Sequence, residues 1–169
     1  MKTKNFFWVT FLMITLSYTE GNCQLNNTSW GEDANPSNIG NHNSAFGKNA
    51  LKNVSPAPPD GSYNSAFGSN ALLNNTIGVN NSSFGSLSMR LNTSGNGNVA
   101  FGREALCVNI TGNSNVAVGF RSLYQLTSGS SNVVVGNHAG GSLISGNSNV
   151  IIGNYSGLLL GSGSNNIFI

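Results

Sequence analysis

The chain repeats a short sequence unit at a fixed spacing, and this periodicity constrains its fold more than any other feature. Each unit has a leading glycine, an asparagine three residues later and a second glycine four residues after that. From Gly68 to Gly153 the second glycine returns every 17 residues, and the step from Gly47 to Gly68 is 21. A period of this length is typical of a solenoid, in which each unit contacts its neighbours in the stack.

Two columns of structural residues follow from this period. We number repeat positions from 0 at the leading glycine, so that the asparagine has position 3 and the second glycine has position 7. The asparagines are Asn43, Asn64, Asn81, Asn98, Asn115, Asn132, Asn149 and Asn166. The second glycines are Gly47, Gly68, Gly85, Gly102, Gly119, Gly136 and Gly153. We expect the glycines to form corners with positive φ or close backbone approach. We expect the asparagines to bond to the copies above and below them.

Positions 4 to 6 have the composition of a β-strand, reading Ser-Ala-Phe at 44–46 and Val-Val-Val at 133–135. Successive strand residues point to opposite faces, so positions 4 and 6 share one face and position 5 has the other. Since all three positions are apolar in the later units, we expect strands that are buried on both faces. One face fills the coil, and the face of position 5 then needs a contact outside it. The phenylalanines at position 6, which should stack, are Phe46, Phe67, Phe84 and Phe101.

The chain divides into three segments. Residues 1–23 have a basic start and an apolar run that is too short for the roughly 20 residues of a membrane span, which predicts a signal peptide and no transmembrane segment. Residues 24–39 are an N-terminal cap, with Trp30 and Ile39 as its candidates, or a flexible lead-in. Residues 40–169 form the repeat domain of about seven coils, which we expect to continue beyond 169. The proline-rich insertion at 55–60 is a binding loop or a tolerated insertion.

Composition argues against several functions. Charged residues make up 7% of the chain, against roughly 25% in a typical globular protein, and the net charge of +2 is too small and scattered for nucleic-acid binding. His42 and His138 lie on different coils without metal-ligand spacing to Cys, Asp or Glu, and Asp60 and Glu104 do not recur in register. We therefore expect no enzyme, cofactor or metal. Cys107 is an incidental thiol in a variable column.

The repeats resemble those of a known family. Asn64-Ser-Ala-Phe-Gly-Ser-Asn-Ala71 and Asn115-Val-Ala-Val-Gly-Phe-Arg-Ser122 resemble the head repeat of trimeric autotransporter adhesins, and similar runs occur in secreted repeat proteins and phage tail fibres. The resemblance covers roughly residues 40–169. It implies a left-handed parallel β-roll, a homotrimer and a location outside the cell or on its surface.

The function expected from these features is an adhesin-like structural module that binds host, matrix or glycan surfaces multivalently. The candidate binding residues are exposed turn positions, namely Arg103, Phe120, Arg121, His138 and Tyr155. Two alternatives stay open, a monomeric β-solenoid that binds carbohydrate or a regular lattice and a shaft like that of a phage tail fibre. Against an ice lattice, the four threonines Thr76, Thr93, Thr111 and Thr127 do not share one column.

Overall fold

The computed structural model describes residues 27–36, 40–55 and 61–169. Within these ranges the chain is all-β and forms a single parallel sheet whose strands pair in sequence order. The strands are β1 (Thr28–Trp30), β2 (Ser44–Phe46), β3 (Ser65–Phe67), β4 (Ser82–Phe84), β5 (Val99–Phe101), β6 (Val116–Val118), β7 (Val133–Val135), β8 (Val150–Ile152) and β9 (Ile167–Phe168). The predicted parallel β-solenoid is confirmed, with about eight turns instead of about seven.

The additional turn lies in the segment that the sequence marks as a cap or lead-in. Strand β1 pairs in register with β2, so that Trp30 lies beside Phe46. Asn27 takes the place of the repeat asparagine, since its Oδ1 accepts a hydrogen bond from the backbone N–H of Asn43 at 2.7 Å. Gly31 takes the place of the second glycine, with a φ of 127°. The predicted signal peptide at 1–23, Ile39 and residues 56–60 of the insertion lie outside the described residues.

The strands bury the opposite face from the one expected. Position 5 points into the coil and is fully buried in every strand from β2 to β8, as at Ala45 and Val134. Positions 4 and 6 point outward, and Phe101 is 58% exposed. The prediction that the face of position 5 needs an outside partner is therefore wrong, and positions 4 and 6 form the face that the coil leaves open. The predicted phenylalanine stack is confirmed on the outer face, with ring centroids 4.8, 4.8 and 5.6 Å apart.

In the narrow core of each coil, the side chains at positions 5 and 11 compensate for each other in size. Where position 5 is Ala or Ser, position 11 holds a buried Leu or Met in the left-handed region, such as Leu123 with a φ of 52°. Where position 5 is the larger Val134 or Ile151, position 11 is Gly140 or Gly157. A Cβ at Gly140 would lie 3.1 Å from Leu123 Cδ2, 3.2 Å from Ile151 Cδ1 and 3.5 Å from Val134 Cγ1, so the larger residues at position 5 crowd this site together with the leucine of the preceding coil. Interiors are close-packed, so a large residue at one position excludes a large residue at the other.

The asparagines at position 3 form the predicted ladder inside the coil. Asn115 Oδ1 accepts hydrogen bonds from the backbone N–H of Asn132 at 3.1 Å and from its Nδ2 at 2.9 Å. Asn115 Nδ2 donates to the carbonyl oxygen of Gly129 at 2.8 Å and to Asn98 Oδ1 at 3.1 Å. The pattern repeats from coil to coil as far as Asn166. Because these side chains are fully buried from Asn43 to Asn149, each amide must find its partners within the stack.

Both glycine columns are required by close backbone approach. A Cβ at Gly68, where φ is 135°, would lie 2.7 Å from the carbonyl carbon of Gly85 in the next coil. The leading glycine Gly95 does not have positive φ, yet a Cβ there would lie 2.5 Å from the carbonyl oxygen of Gly112. No side chain fits at either distance, so the glycine corners set how closely successive coils stack.

We predict that Asn115→Ala lowers the free energy of unfolding by about 2–3 kcal/mol, because it leaves the buried carbonyl oxygen of Gly129 and the backbone N–H of Asn132 without their partners. Asn113→Ala is the matched control, since Asn113 is half-buried and its amide bonds at the rim of the coil. Chemical denaturation followed by circular dichroism measures both variants. Equal losses for the two would contradict the role given to the buried ladder.

We also predict that Gly140→Leu destabilises the protein less in a Val134→Ala background than in the wild type. The smaller alanine restores the combination of small position 5 and large position 11 that the earlier coils use. A double-mutant cycle should give a favourable coupling of about 1 kcal/mol or more. Additive effects of the two substitutions would show that the two positions do not share one core volume.

Candidate functional site

The candidate binding residues lie together on one outer corner of the solenoid. Directly after each second glycine, positions 8 and 9 turn outward, and position 9 has a φ near 57° in successive coils, for example 54° at both Arg121 and His138. Position 12 follows on the same side of the coil. We call the outward side chains of positions 8, 9 and 12 in the later coils the corner ridge. Its members are Arg90, Arg103, Glu104, Cys107, Phe120, Arg121, Tyr124, His138, Tyr155 and Leu158.

Aromatic contacts run along this ridge from one coil to the next. The rings of Phe120 and His138 meet edge to face with centroids 5.1 Å apart. The rings of His138 and Tyr155 stack with centroids 5.1 Å apart and an interplanar angle of 3°. The Arg121 guanidinium lies 5.2 Å from the centroids of both Phe120 and Tyr124, a distance at which cations are attracted to aromatic rings. The Arg103 guanidinium lies 5.7 Å from the centroid of Phe120. The ridge therefore joins all five candidate residues into one contiguous surface.

Glu104 anchors the two arginines of the ridge. Its carboxylate lies 2.8 Å from Arg103 Nη2 and 2.5 Å from Arg121 Nε, while its own side chain is only 7% exposed. The hydrogen bond from Arg121 lowers the pKa of Glu104, with desolvation opposing the shift and the charge of Arg103 adding to it. Sequence reasoning set Glu104 aside because it does not recur in register. Its role is to hold Arg121 at a fixed place beside Phe120 and Tyr124.

A cleft opens beside Arg121 where position 12 lacks a side chain. It has a volume of about 300 Å³, and Arg121, Tyr124, Gln125, His138, Gly141, Ser142 and Leu158 line it. A Cβ at Gly141 would approach the carbonyl oxygen of His138 at 3.1 Å and Leu158 Cδ2 at 3.6 Å. Other coils carry Leu73 or Tyr124 at this position. Gly141 therefore leaves a gap in the column. In the sequence, this gap is indicated by the one glycine among the larger residues at position 12.

The ridge also holds the excess positive charge of the described part of the chain. Lys48 pairs with Glu32 and Lys52 with Asp33, both at 2.9 Å, in the first two coils. The remaining charged residues in the described ranges are Arg90, Arg103, Arg121 and Glu104, all on the ridge. Three cations against one anion leave a local surplus of two positive charges, which attracts anionic partners.

Cys107 is a ridge residue whose side chain is buried by its neighbours, and burial raises the pKa of its thiol. This thiol is therefore poorly suited to reaction as a thiolate. In the described residues, no group of three or more His, Cys, Asp and Glu side chains could hold a metal ion. His42 lies away from the ridge and stacks on Tyr63 with ring centroids 5.0 Å apart.

The outer strand face is a second candidate surface, formed by positions 4 and 6 of β2–β9. It carries Ser and Phe in the first three of these strands and Val, Ile or Phe afterwards, and none of its residues is charged. Val133, Val135 and Ile152 are each about two-fifths exposed, at 41%, 38% and 41%. The coil buries position 5 of each of these strands, so the side chains at positions 4 and 6 are the part of the sheet that remains exposed to solvent.

A third column contains three of the four threonines considered above. Thr76, Thr93 and Thr127 share position 15 with Ile110 and Ile144, whereas Thr111 lies one position later. The Thr76 hydroxyl donates to the carbonyl oxygen of Thr93 at 3.0 Å, and Thr127 donates to that of Ile144 at 3.0 Å. These hydroxyls bond within the stack, and isoleucines interrupt the column, so it is not an unbroken threonine array.

Comparison with family models, with curated proteins and with solved structures gives no match to this chain. No helix long and apolar enough to span a bilayer is present among the residues that the structure describes.

We predict that acidification destabilises the protein through Glu104. Because the pKa of Glu104 is lowered in the fold, its contribution is complete above about pH 4.5 and is lost as the pH falls through the lowered value. The thermal midpoint of Glu104→Gln should thus depend less on pH than that of the wild type between about pH 5 and pH 2. Glu32→Gln, in an exposed pair, is the control and should change the profile little. A Glu104→Gln profile parallel to the wild type would contradict the assignment.

Proposed function

We propose that the protein is a secreted or surface-exposed, adhesin-like structural module. In this proposal its chains assemble through the outer strand faces and present the corner ridge in several copies to host, matrix or glycan surfaces. The observation that carries the proposal is the outer strand face, an uncharged apolar row that one chain leaves open. The trimeric number and the extracellular location come from the resemblance of the repeats to adhesin heads and from the signal-like residues 1–23.

The size of the outer strand face supports a partner. Its eight strands, at a spacing of about 4.8 Å, make this face on the order of 35 Å long, and two outward columns make it on the order of 10 Å wide. Contiguous apolar patches of a few hundred Å² are uncommon on monomers and mark interaction sites. Covering this row removes apolar surface from water, which favours association by roughly 25 cal/mol per Å².

The chemistry of the face favours copies of the same chain over a different partner. Without charged side chains at positions 4 and 6, the face repels no copy of itself and offers no charge for an unlike partner to complement. Its outermost rings, from Phe46 to Phe101, stand in one regular column. Identical chains aligned in the same direction bring equal columns together, as closed symmetric assemblies do.

Assembly would allow each corner ridge to bind its ligand only weakly. Three chains would carry three copies of the corner ridge, each on the side of a rigid stack. Linked weak sites bind a surface with far higher avidity than one site, provided that the geometry lets them engage together. A stiff, sparsely charged solenoid suits such a display because its corner positions vary without changing the core.

We predict that the purified protein has three times the mass of one chain in solution and that Val135→Glu lowers this to one chain, because it places a charge in the apolar contact. Light scattering on a sizing column measures both. Asn137→Glu is the matched control in the same coil, at an exposed corner outside the strand face, and should leave the mass unchanged.

A folded wild-type monomer would contradict assembly and would favour the monomeric carbohydrate- or lattice-binding solenoid instead. A stable oligomer that survives Val135→Glu would show that a different face makes the contact. Circular dichroism of each variant separates loss of assembly from loss of fold.

A further inference from the structure

We infer that the cleft beside Arg121 is a binding site for an acidic sugar residue, carboxylated or sulfated, with Arg121 as the anion-binding group. This deepens the proposed function, on which it rests for the display of the site, by naming the class of ligand.

Arg121 is positioned to bind an anion. Its Nε is held by Glu104 and its guanidinium lies between the rings of Phe120 and Tyr124, so its orientation is fixed before a ligand arrives. The structure gives its two terminal nitrogens no hydrogen bond within the described part of the chain. A fixed guanidinium with free terminal N–H groups binds carboxylate or sulfate oxygens in a bidentate manner.

The other walls of the cleft suit a sugar ring. His138 already contacts Phe120 and stacks on Tyr155, and the Arg121 guanidinium lies over the Tyr124 ring. The exposed part of Tyr124, the edge of His138 and the side chain of Leu158 are therefore the apolar surfaces left for the C–H groups of a pyranose. Gln125 offers an amide to sugar hydroxyl groups, and the Ser142 hydroxyl, which donates to the carbonyl oxygen of Leu158, offers its oxygen as an acceptor. Sites for small ligands combine mostly apolar walls with a few polar groups in this way, and about 300 Å³ is at the lower end of their volumes. The cleft therefore fits one or two sugar units.

Charge selects an acidic sugar over a neutral one. Within the described residues, Glu104 is the sole carboxylate on the ridge, and the two arginines hold it away from solvent. No charged side chain follows Arg121 in the sequence, so the half of the cleft formed by the next coils adds no negative charge. An anion entering the cleft meets the surplus positive charge of the ridge.

The test is calorimetric titration of the intact protein with a sulfated disaccharide, a glucuronic-acid disaccharide and a neutral disaccharide. We expect one or both acidic probes to bind at least about tenfold more tightly than the neutral one, as removal of a charge-assisted contact implies. Arg121→Gln should remove this preference. Gly141→Leu fills the cleft with a side chain that the next coil already carries at this position, as Leu158. It should weaken binding at least about tenfold while retaining all charges.

Arg103→Gln is the matched control, since Arg103 also pairs with Glu104 but does not line the cleft. It should weaken binding less than about threefold. Equal losses for Arg103→Gln and Arg121→Gln, with no effect of Gly141→Leu, would overturn the inference in favour of diffuse charge attraction. Failure of all acidic probes to bind, or equal binding of the neutral probe, would also overturn it.

Light scattering on the same samples distinguishes this inference from the proposed assembly. A monomer that binds the acidic probe through Arg121 and Gly141 supports the site and contradicts the trimer. A trimer that binds none of the probes contradicts the site and leaves the assembly standing.

Discussion

The buried ladder of asparagine amides determines how the coils of this protein lie on one another. From Asn81 to Asn149, each Oδ1 accepts the backbone N–H and the side-chain amide of the next asparagine, as Asn132 Oδ1 does from Asn149 at 3.0 and 2.9 Å. Each Nδ2 also donates to a leading-glycine carbonyl, which ties the corner to the strand. A shift of one residue would leave buried amides without partners. The strands, the phenylalanine stack and the corner ridge thus keep the same 17-residue register.

Much of this fold could be predicted from the sequence, because the period places like residues over one another. The asparagine ladder, the glycine corners and the stack from Phe46 to Phe101 followed from their columns. The inward face did not, since alternation defines two faces without saying which is inside. A three-residue strand between two corners points one side chain inward and two outward, and only Ala- or Ser-sized residues at position 5 leave room for Leu123 and its equivalents. The pairing of a larger Val134 with Gly140, where other coils pair Ala with Leu, is the sequence feature that indicates position 5 as the inward one.

A fixed 17-residue period does not predict the first coil or all of the corner ridge. Asn27 and Gly31 keep the spacing of the repeat asparagine and second glycine but lie 16 residues before their equivalents Asn43 and Gly47, so a fixed period misses them. The exposed positions on the ridge were predictable because variable, outward positions follow each corner. Glu104 and Gly141 were not, because each acts through neighbouring coils. One fixes Arg121, and the other opens the space beside it.

The outer strand face connects the fold to the proposed function, because the same coil geometry that buries position 5 leaves positions 4 and 6 apolar and open. A crystal structure of the purified assembly tests this connection most directly. The account predicts three chains aligned in one direction, with Val133, Val135 and Ile152 of each facing a common axis and the corner ridges on the outside. Chains that meet through another face, with the outer strand face in solvent, would contradict it.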